Sequence, residues 1–327
     1  MTAFDQQLAV LCPFPSAMSP FFDQVQQTTM AWADHFNLVR SGRAHERLNR
    51  LQYGSFMARA YPTASEPSLR LFADWNTWLF LLDDEFDERA FGRQPDRLAQ
   101  LHARLLAILR GARPSADDDT RYHALHDLTK RFDAAAPAGW MRRFIDCVEA
   151  TFAASVWEAH NRKQLRTPGE AEYLDMRPFT SAVYCFLCFI EIAEQLSLPS
   201  NVRRSAPIRA LSHMTNNAIS WFNDLISYPK EIARGDVHNL VYIVHRERNI
   251  SVEDAAAYVV YKHNAEVEAF QHASVALRCC GDPGAQKYVA GLQAWIRANV
   301  DWSIATARYR PADSSALQTC YQYDLRV

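Results

Sequence analysis

The chain has 327 residues, of which 49% are hydrophobic and only 10 are glycine. It can therefore bury a large core, and scarce glycine favours helices over turn-rich β architecture, because glycine weakens helix interiors. The formal net charge of −2 and the lack of a long basic run argue against nucleic-acid binding, since phosphate contacts need a basic surface.

Hydrophobic residues recur mostly at helical spacing along the chain, and alternating strand patterns are rare. This periodicity predicts an all-α protein with helices over residues 20–38, 44–61, 67–90, 95–111, 120–134, 138–164, 177–197, 205–233, 238–248, 251–280 and 284–309. The polar stretch GARPSADDDTRY predicts a surface loop. Its Asp117, Asp118 and Asp119 are expected to be solvated and to cap the next helix.

No Gly/Ser/Pro-rich linker divides the sequence, so we expect one domain over residues 1–327. The core is predicted over about 13–310, and residues 311–327 form a tail without helical period. The first 18 residues lack the basic start of a secretory signal, and no charge-free apolar run approaches 20 residues. These features predict a cytoplasmic protein that does not span a membrane.

Seven cysteines are scattered through the chain, and Cys185 and Cys188 form its one CxxC spacing. No second pair completes a zinc site, and the surrounding VYCFLCFIEI is apolar. We interpret the pair as part of a buried helix face. A chain of this length needs no disulfides, so reduced thiols are expected.

An acidic cluster ends an apolar segment in NTWLFLLDDEFDERAFG, residues 76–92. Asp83 and Asp87 lie one helical turn apart and share a face, with Asp84 beside them. Carboxylates this close repel one another, and a hard cation such as Mg²⁺ removes the repulsion. The pattern by itself fits either a solvated helix end or a metal site. The preceding WLFLL indicates that the helix is buried up to the cluster, and Glu85 and Glu88 are expected to be solvated.

A second polar pattern lies in WFNDLISYPKEIARGDVHNLV. Asn223, Ser227 and Glu231 are spaced i, i+4, i+8, which places an amide, a hydroxyl and a carboxylate on one narrow helical stripe. Apolar residues flank this stripe, including Trp221 and Leu225. An embedded polar stripe needs partners, and three oxygen ligands for a cation are one explanation.

These two motifs together resemble those of microbial class I terpene cyclases. DDEFD is similar to the aspartate-rich motif of that family, and Asn-Asp-x-x-Ser-x-x-x-Glu to its second metal motif. The resemblance covers roughly residues 13–310. It implies a class I isoprenoid synthase helical bundle around a central cavity, and Mg²⁺ ligation by Asp83, Asp87, Asn223, Ser227 and Glu231. Three Mg²⁺ ions per active site would bind the substrate diphosphate.

Further residues match the family one at a time. Arg177 stands at the place of the diphosphate-sensing arginine, forty-six positions before the asparagine, and Ser181 at the place of the effector residue. Lys230 matches the diphosphate-binding lysine, and Arg308 and Tyr309 match the terminal Arg-Tyr pair. By this resemblance Arg177, Ser181 and Asp83 are catalytic, and Arg177, Lys230, Arg308 and Tyr309 bind substrate.

Aromatic residues are expected to line the substrate pocket, because ring faces stabilise a carbocation. Phe56 and Phe80 fall where the family has such aromatics, and Trp302 precedes the terminal pair. Ordinary core packing is the alternative for any one ring. Pro229 lies inside the second motif, where we expect a local kink that shifts Lys230 and Glu231.

The implied reaction is ionisation of farnesyl diphosphate and cyclisation of the carbocation to a sesquiterpene or sesquiterpene alcohol. Geranylgeranyl diphosphate is the alternative substrate, and geranyl diphosphate a weaker one. Only one DDxxD occurs, which disfavours prenyl chain elongation. A non-catalytic isoprenoid-binding protein would have no need of the second motif. The partner is thus an isoprenoid diphosphate, and the oligomeric state, with a homodimer considered, stays open.

Overall fold

A computed structural model describes residues 8–39, 41–88, 90–279, 282–309 and 323–326. Within them the chain is almost entirely helical, as predicted. The elements in chain order are β1 (Leu8–Leu11), α1 (Phe22–His35), α2 (Gly42–Leu51), α3 (Tyr53–Ala60), α4 (Glu66–Glu88), α5 (Pro95–Leu109), α6 (Thr120–Ala135), α7 (Trp140–Gln164), α8 (Glu170–Thr180), α9 (Val183–Leu187), α10 (Phe189–Ala193), α11 (Ser200–Arg203), α12 (Ala206–Ala233), α13 (Leu240–Arg248), α14 (Val252–Cys279), α15 (Pro283–Ala305) and β2 (Tyr323–Arg326). Short 3₁₀ turns cover Ala90–Arg93 and Ala307–Tyr309.

These elements form two compact units. Unit I comprises residues 17–165 and 184–198, and therefore holds α1–α7, most of α9, and α10. Unit II comprises the described residues of 1–16, 166–183 and 199–327, and holds α8, α11–α15 and both strands. The single domain predicted over residues 1–327 stays a prediction.

The core of unit I is a cluster of aromatic rings. Phe189 on α10 stacks on Phe72 of α4 at 4.8 Å between ring centroids and on Phe132 of α6 at 5.0 Å. Phe144 on α7 lies edge-on to Trp75 at 4.8 Å. All five side chains are fully buried. Interlocked rings of this kind bury large apolar areas and pull the four helices together.

The helix predicted over 44–61 is two helices in the structure. Gln52 between α2 and α3 adopts a left-handed backbone with φ of 55°. The break lets α3 approach α1, and a Cβ on Gly54 would come within 2.8 Å of the Gln26 backbone. Gly54 N–H also donates to Gln26 Oε1 at 2.9 Å. The close approach of the two helices, which has no signature in the local hydrophobic pattern, explains the missed break.

The helix predicted over 177–197 is also wrong in its bounds. The structure begins α8 seven residues earlier, at Glu170, and ends it at Thr180. Ala182 then takes a left-handed conformation, with φ of 58°, before α9 begins. Arg177 consequently lies in the last turn of α8 rather than at the start of a helix.

In unit II, α12 is the central helix and packs against α13, α14 and α15. The two strands form a parallel pair in which Val10 is opposite Leu325. Asn264 on α14 bonds β1 through both polar atoms of its side-chain amide. Its Oδ1 accepts from Leu11 N–H and its Nδ2 donates to the Ala9 carbonyl, each at 2.8 Å. The predicted tail thus contains a four-residue strand, while residues 310–322 and 327 lie outside the described part of the chain.

One stretch within the described residues, Glu170–Ala193, is long and apolar enough by composition to cross a membrane. Its most apolar window is 67% buried inside the protein, and the backbone divides it into α8, α9 and α10. A buried core segment has the same composition, so this is weak evidence for a span. The cytoplasmic location stays a prediction.

Candidate active site

The second polar motif lies on α12, whose length and apolar neighbours embed it in unit II. Phe222, just before the motif, and Leu225, within it, are fully buried. Asn223 is half-buried and Ser227 is buried, so the predicted stripe does run along an embedded helix. Ser227 Oγ donates to the Asn223 carbonyl at 2.7 Å, which leaves its lone pairs available. The helix continues through Pro229 to Ala233.

Arg177 projects from α8 onto this motif. Its Nη2 donates to Asn223 Oδ1 at 2.9 Å and lies 2.7 Å from Asp224 Oδ1. The guanidinium side chain is only 12% exposed, and the Asp224 side chain 1%. A nearly buried cation is therefore compensated by a buried carboxylate, and both are held beside a predicted metal ligand.

Asp224 accepts further hydrogen bonds through its second carboxylate oxygen. Its Oδ2 accepts from Tyr173 hydroxyl at 2.9 Å and from Leu240 N–H at 3.1 Å. Burial raises the pKa of Asp224 above its usual range, while the charge of Arg177 and these donors oppose the shift. Burial of the Asp224 carboxylate is therefore unfavourable by itself, and its ionised form is stabilised by each of these partners.

Asn239 connects Glu231 to the same network. Its side-chain oxygen caps α13 by accepting from Val241 N–H at 2.9 Å, and its Nδ2 donates to Glu231 Oε2 at 2.8 Å and to the Asp224 carbonyl at 2.7 Å. Burial, and then the charge of Asp224, raise the pKa of Glu231 to about 7, although the bond from Asn239 opposes the rise. A cation beside Glu231 would lower that pKa again.

The terminal Arg-Tyr pair reaches this site through Tyr309. Asn223 Nδ2 donates to Tyr309 hydroxyl at 2.7 Å, and the Tyr309 ring lies edge-on to Trp302 at 6.0 Å. Burial raises the pKa of Tyr309 to about 12, so the hydroxyl stays neutral. A hydroxyl that accepts this bond keeps its own proton for another acceptor. Arg308 is half-buried beside it.

The remaining matched residues of unit II lie on the same two helices. Ser181 caps the C-terminus of α8, and its hydroxyl donates to Asn216 Oδ1 at 3.0 Å. Lys230 is half-buried on the last turns of α12, next to Glu231 in sequence. Asn223 therefore meets Arg177 and Tyr309 directly, whereas Ser181 is anchored to a different asparagine.

The other predicted residues belong to unit I. Asp83 and Asp87 are on the last turns of α4, but their side chains lie outside the part of the chain that the structure describes. Phe56 is buried on α3, and half-buried Phe80 stacks on Tyr53 at 4.7 Å. No group of three His, Cys, Asp or Glu side chains that could hold a metal occurs among the described residues.

The chain is similar to known proteins over most of its length. The family model of the C-terminal metal-binding region of terpene synthase family 2 matches residues 74–269. The chain is 42% identical to a (+)-T-muurolol synthase of Roseiflexus castenholzii that cyclises (2E,6E)-farnesyl diphosphate, over 95% of this chain and 96% of that protein. It is 34% identical to a germacrene A synthase of Nostoc punctiforme, over 91% of this chain and 93% of that protein.

The chain belongs to terpene synthase family 2. It is an enzyme of the terpene synthase class, a lyase. A crystal structure of germacradien-4-ol synthase from Streptomyces citricolor, 26% identical, superposes with a TM-score of 0.80 and covers 92% of this chain and 99% of that one. The predicted all-α terpene synthase fold is therefore confirmed.

The donor set of this terpene synthase fits a hard divalent cation. Asn223 Oδ1 has a second lone pair besides the one that Arg177 occupies, Ser227 Oγ has two, and Glu231 carries a carboxylate. Burial and the charge of Asp224 raise the pKa of Glu231 more than Asn239 and Arg177 lower it, so a bound cation would further stabilise its carboxylate form. All three donors are oxygens, the ligands that Mg²⁺ takes. The metal-binding description of the family agrees with divalent metal use.

Sequence reasoning missed three residues of this candidate site: Tyr173, Asp224 and Asn239. Asp224 has a local signal, because a carboxylate between buried Phe222 and Leu225 must be paired. Asn239 has one too, since it precedes the apolar LVYIV as a helix cap. Tyr173 has no such signal, because its partner lies 51 residues away.

Proposed function

We propose that this enzyme is a class I sesquiterpene cyclase, which ionises farnesyl diphosphate and cyclises the carbocation to a sesquiterpene or sesquiterpene alcohol. The observation that carries the proposal is the meeting of Arg177, Asn223 and Tyr309 within 2.9 Å contacts. This group joins two predicted diphosphate-binding residues to a predicted metal ligand, in a chain that is 42% identical to a farnesyl diphosphate cyclase.

We assign the metal to two motifs. Asn223, Ser227 and Glu231, together with Asp83 and Asp87, would hold three Mg²⁺ ions. The ions would neutralise the charge that grows on the departing diphosphate. The side chains themselves supply oxygen donors, and Asn239 orients one of these by its bond to Glu231 Oε2.

The basic groups would bind the diphosphate. Arg177, Lys230 and Arg308 supply charge-assisted donors, and the Tyr309 hydroxyl keeps a proton for a diphosphate oxygen. Arg177 is preorganised for this by Asp224 at 2.7 Å, so little reorganisation is needed when an anion arrives. Ser181, just after α8, would act through its backbone carbonyl on the reacting carbocation.

The aromatic side chains would exclude water from the carbocation. Trp302 is buried next to Tyr309, and Phe56 and Phe80 are the proposed wall residues of unit I. Each ring face that meets a cation contributes about 0.5–2 kcal/mol. Replacing Phe80 with leucine is expected to change the product mixture more than the rate of diphosphate release.

A product assay tests the proposal directly. Purified protein is incubated with Mg²⁺ and, separately, with geranyl, farnesyl and geranylgeranyl diphosphate, and extracts are analysed by gas chromatography–mass spectrometry. We expect a cyclic fifteen-carbon product from farnesyl diphosphate. Product from the twenty-carbon substrate alone would replace sesquiterpene with diterpene cyclisation, and binding without turnover of any substrate would favour a non-catalytic protein.

A metal-ligand variant tests the assignment of the first motif. Asp83→Ala is expected to abolish turnover with little loss of fold, because it relieves repulsion among neighbouring carboxylates in the metal-free protein. The matched control is Glu88→Ala, five residues along α4 at a position predicted to be solvated. Near-normal turnover in Asp83→Ala, with circular dichroism unchanged, would remove Asp83 from the metal site.

A further inference from the structure

Two cysteines of unit I lie in contact although they are 41 positions apart in sequence. Cys147 is on α7 and Cys188 lies between α9 and α10, and their sulfur atoms are 3.9 Å apart. A disulfide has sulfurs about 2 Å apart, so bond formation requires an approach of roughly 2 Å. Neither cysteine belongs to the active site, and the CxxC spacing of Cys185 and Cys188 is not the pair that meets.

The two helices are clamped on both sides of this pair. Trp140 Nε1 donates to the Cys188 carbonyl at 2.8 Å, and Arg143 Nη2 bonds both carboxylate oxygens of Glu191 at 2.7 and 2.8 Å. One turn further along α7, Thr151 Oγ1 contacts Cys185 Sγ at 3.7 Å. These contacts fix the backbone of α7 relative to the α9–α10 junction. The two sulfur atoms are therefore held close together by the surrounding structure.

Reactivity and access distinguish this pair from the other described cysteines. The hydrogen bond between the two thiols lowers the pKa of Cys147, whereas the same bond and burial raise the pKa of Cys188, so Cys147 is the thiol that first becomes a thiolate. Both residues are half-buried, whereas Cys12 and Cys185 are buried. Burial raises the pKa of Cys12 to about 11, which keeps its thiol protonated and inert.

We propose that Cys147 and Cys188 are a redox-active dithiol that is oxidised to a disulfide by exchange with low-molecular-weight disulfides such as glutathione disulfide. The Cys147 thiolate attacks one sulfur of the external disulfide, forms a mixed disulfide and releases one thiolate. Cys188 then loses its proton and attacks the Cys147 sulfur, which expels the second thiolate. Two protein thiols are oxidised, one external disulfide is reduced, and the two protons end on the released thiols.

The bond would join α7 to the junction of α9 and α10. It would close a loop of 41 residues and so restrict the unfolded chain. We therefore expect oxidation to raise the midpoint of thermal unfolding by about 5 °C.

The test uses the full folded chain with glutathione disulfide as the probe. After incubation at pH 8, remaining thiols are alkylated, and peptides are mapped by mass spectrometry without reduction. We expect a peptide pair that joins Cys147 to Cys188 and disappears on treatment with dithiothreitol. Alkylation of both residues after oxidation, with no joined peptide, would overturn the proposal.

Matched variants separate the two steps. Cys188→Ser is expected to accumulate glutathione on Cys147, because the resolving thiol is gone, whereas Cys147→Ser should acquire far less on Cys188. Cys185→Ser should form the Cys147–Cys188 bond as the unaltered chain does. A bond that depended on Cys185, or an unfolding midpoint that did not rise when the bond formed, would contradict the geometry.

Discussion

An aromatic cluster in unit I and a polar network in unit II stabilise two buried regions of the molecule in opposite ways. In unit I, Phe189 touches Phe72, Phe132 and other rings within about 6 Å, and no charge is involved. In unit II, the second motif is held by the buried pair of Arg177 and Asp224, with Tyr173 bonded to the carboxylate.

The two buried regions are expected to differ in how much stability a substitution removes. Apolar packing is non-directional, so a replacement of similar size loses mainly contact area. A buried polar network is directional, and removal of one member leaves its partner desolvated and unpaired. Breaking the polar network of unit II therefore costs stability, and the same network orients Arg177, which we propose binds the diphosphate.

The largest expected effect comes from Arg177→Ala. It leaves Asp224 buried without its cation, so we expect the free energy of unfolding to fall by about 3–5 kcal/mol. Turnover of farnesyl diphosphate should fall by at least about a thousandfold, since a donor to the leaving group is lost. Denaturant unfolding and product release measure the two effects.

The matched control is Arg166→Ala. Arg166 pairs with Glu172 at 2.7 Å in the same unit, but on the surface, where such pairs contribute about 0–1 kcal/mol. Its turnover should be unchanged. If Arg177→Ala only shifted the product mixture, Arg177 would be reassigned to packing or closure.

Phe189 lies at the centre of the aromatic core of unit I, so its replacement measures the contribution of apolar packing. Phe189→Ala is expected to lower the free energy of unfolding by about 3–4 kcal/mol, because it opens a cavity among fully buried rings. Phe189→Leu should lower it by only about 1 kcal/mol, since most of the volume is refilled. Equal losses for the two variants in urea titrations would show that ring geometry, and not buried volume, governs this core.

Tyr173→Phe removes one hydroxyl from the polar network with almost no change in shape. Asp224 keeps Arg177 and Leu240 N–H, so the free energy of unfolding should fall by about 1–2 kcal/mol. Because Asp224 then orients Arg177 less rigidly, kcat should fall about tenfold while KM changes little. A rise in KM alone would assign Tyr173 to substrate affinity and not to positioning of Arg177.

Asp74 is a buried acidic residue of unit I, and its ionisation should make the stability of the protein depend on pH. It accepts from Thr29 at 2.8 Å and lies 2.7 Å from Arg131, yet burial raises its pKa to about 6. An acid whose pKa is higher in the folded than in the unfolded state stabilises the fold more as pH falls through the folded pKa. Between pH 7 and pH 5 the unaltered chain should therefore gain about 1 kcal/mol relative to Asp74→Asn.

Urea unfolding of both chains at several pH values measures this difference. Arg131 keeps Asp127 as a partner at 3.2 Å, so the variant does not strand its charge. If the unaltered chain instead lost stability relative to Asp74→Asn as pH fell, the ion pair with Arg131 would outweigh burial and hold the pKa of Asp74 low.

Much of the fold was predictable because helical periodicity is a local property. The bounds of α4, α6 and α12 agree with the predicted helices to within a few residues. The divided helices were not predictable, since Gln52 and Ala182 adopt left-handed backbones for which their residue types give no signal. The β1–β2 pair was missed because four-residue strands are too short for a periodic pattern, and Asn264 on a distant helix holds one of them.

The sequence by itself determined the stripe of Asn223, Ser227 and Glu231, because spacing along one helix sets which side chains share a face. It also placed Arg177 and Tyr309 by resemblance. Only the tertiary structure decided that Arg177 bonds Asn223 and Asp224, and that Asn239 bonds Glu231. Such bonds join residues tens of positions apart, and their geometry depends on how α8, α12 and α13 pack, which no local pattern encodes.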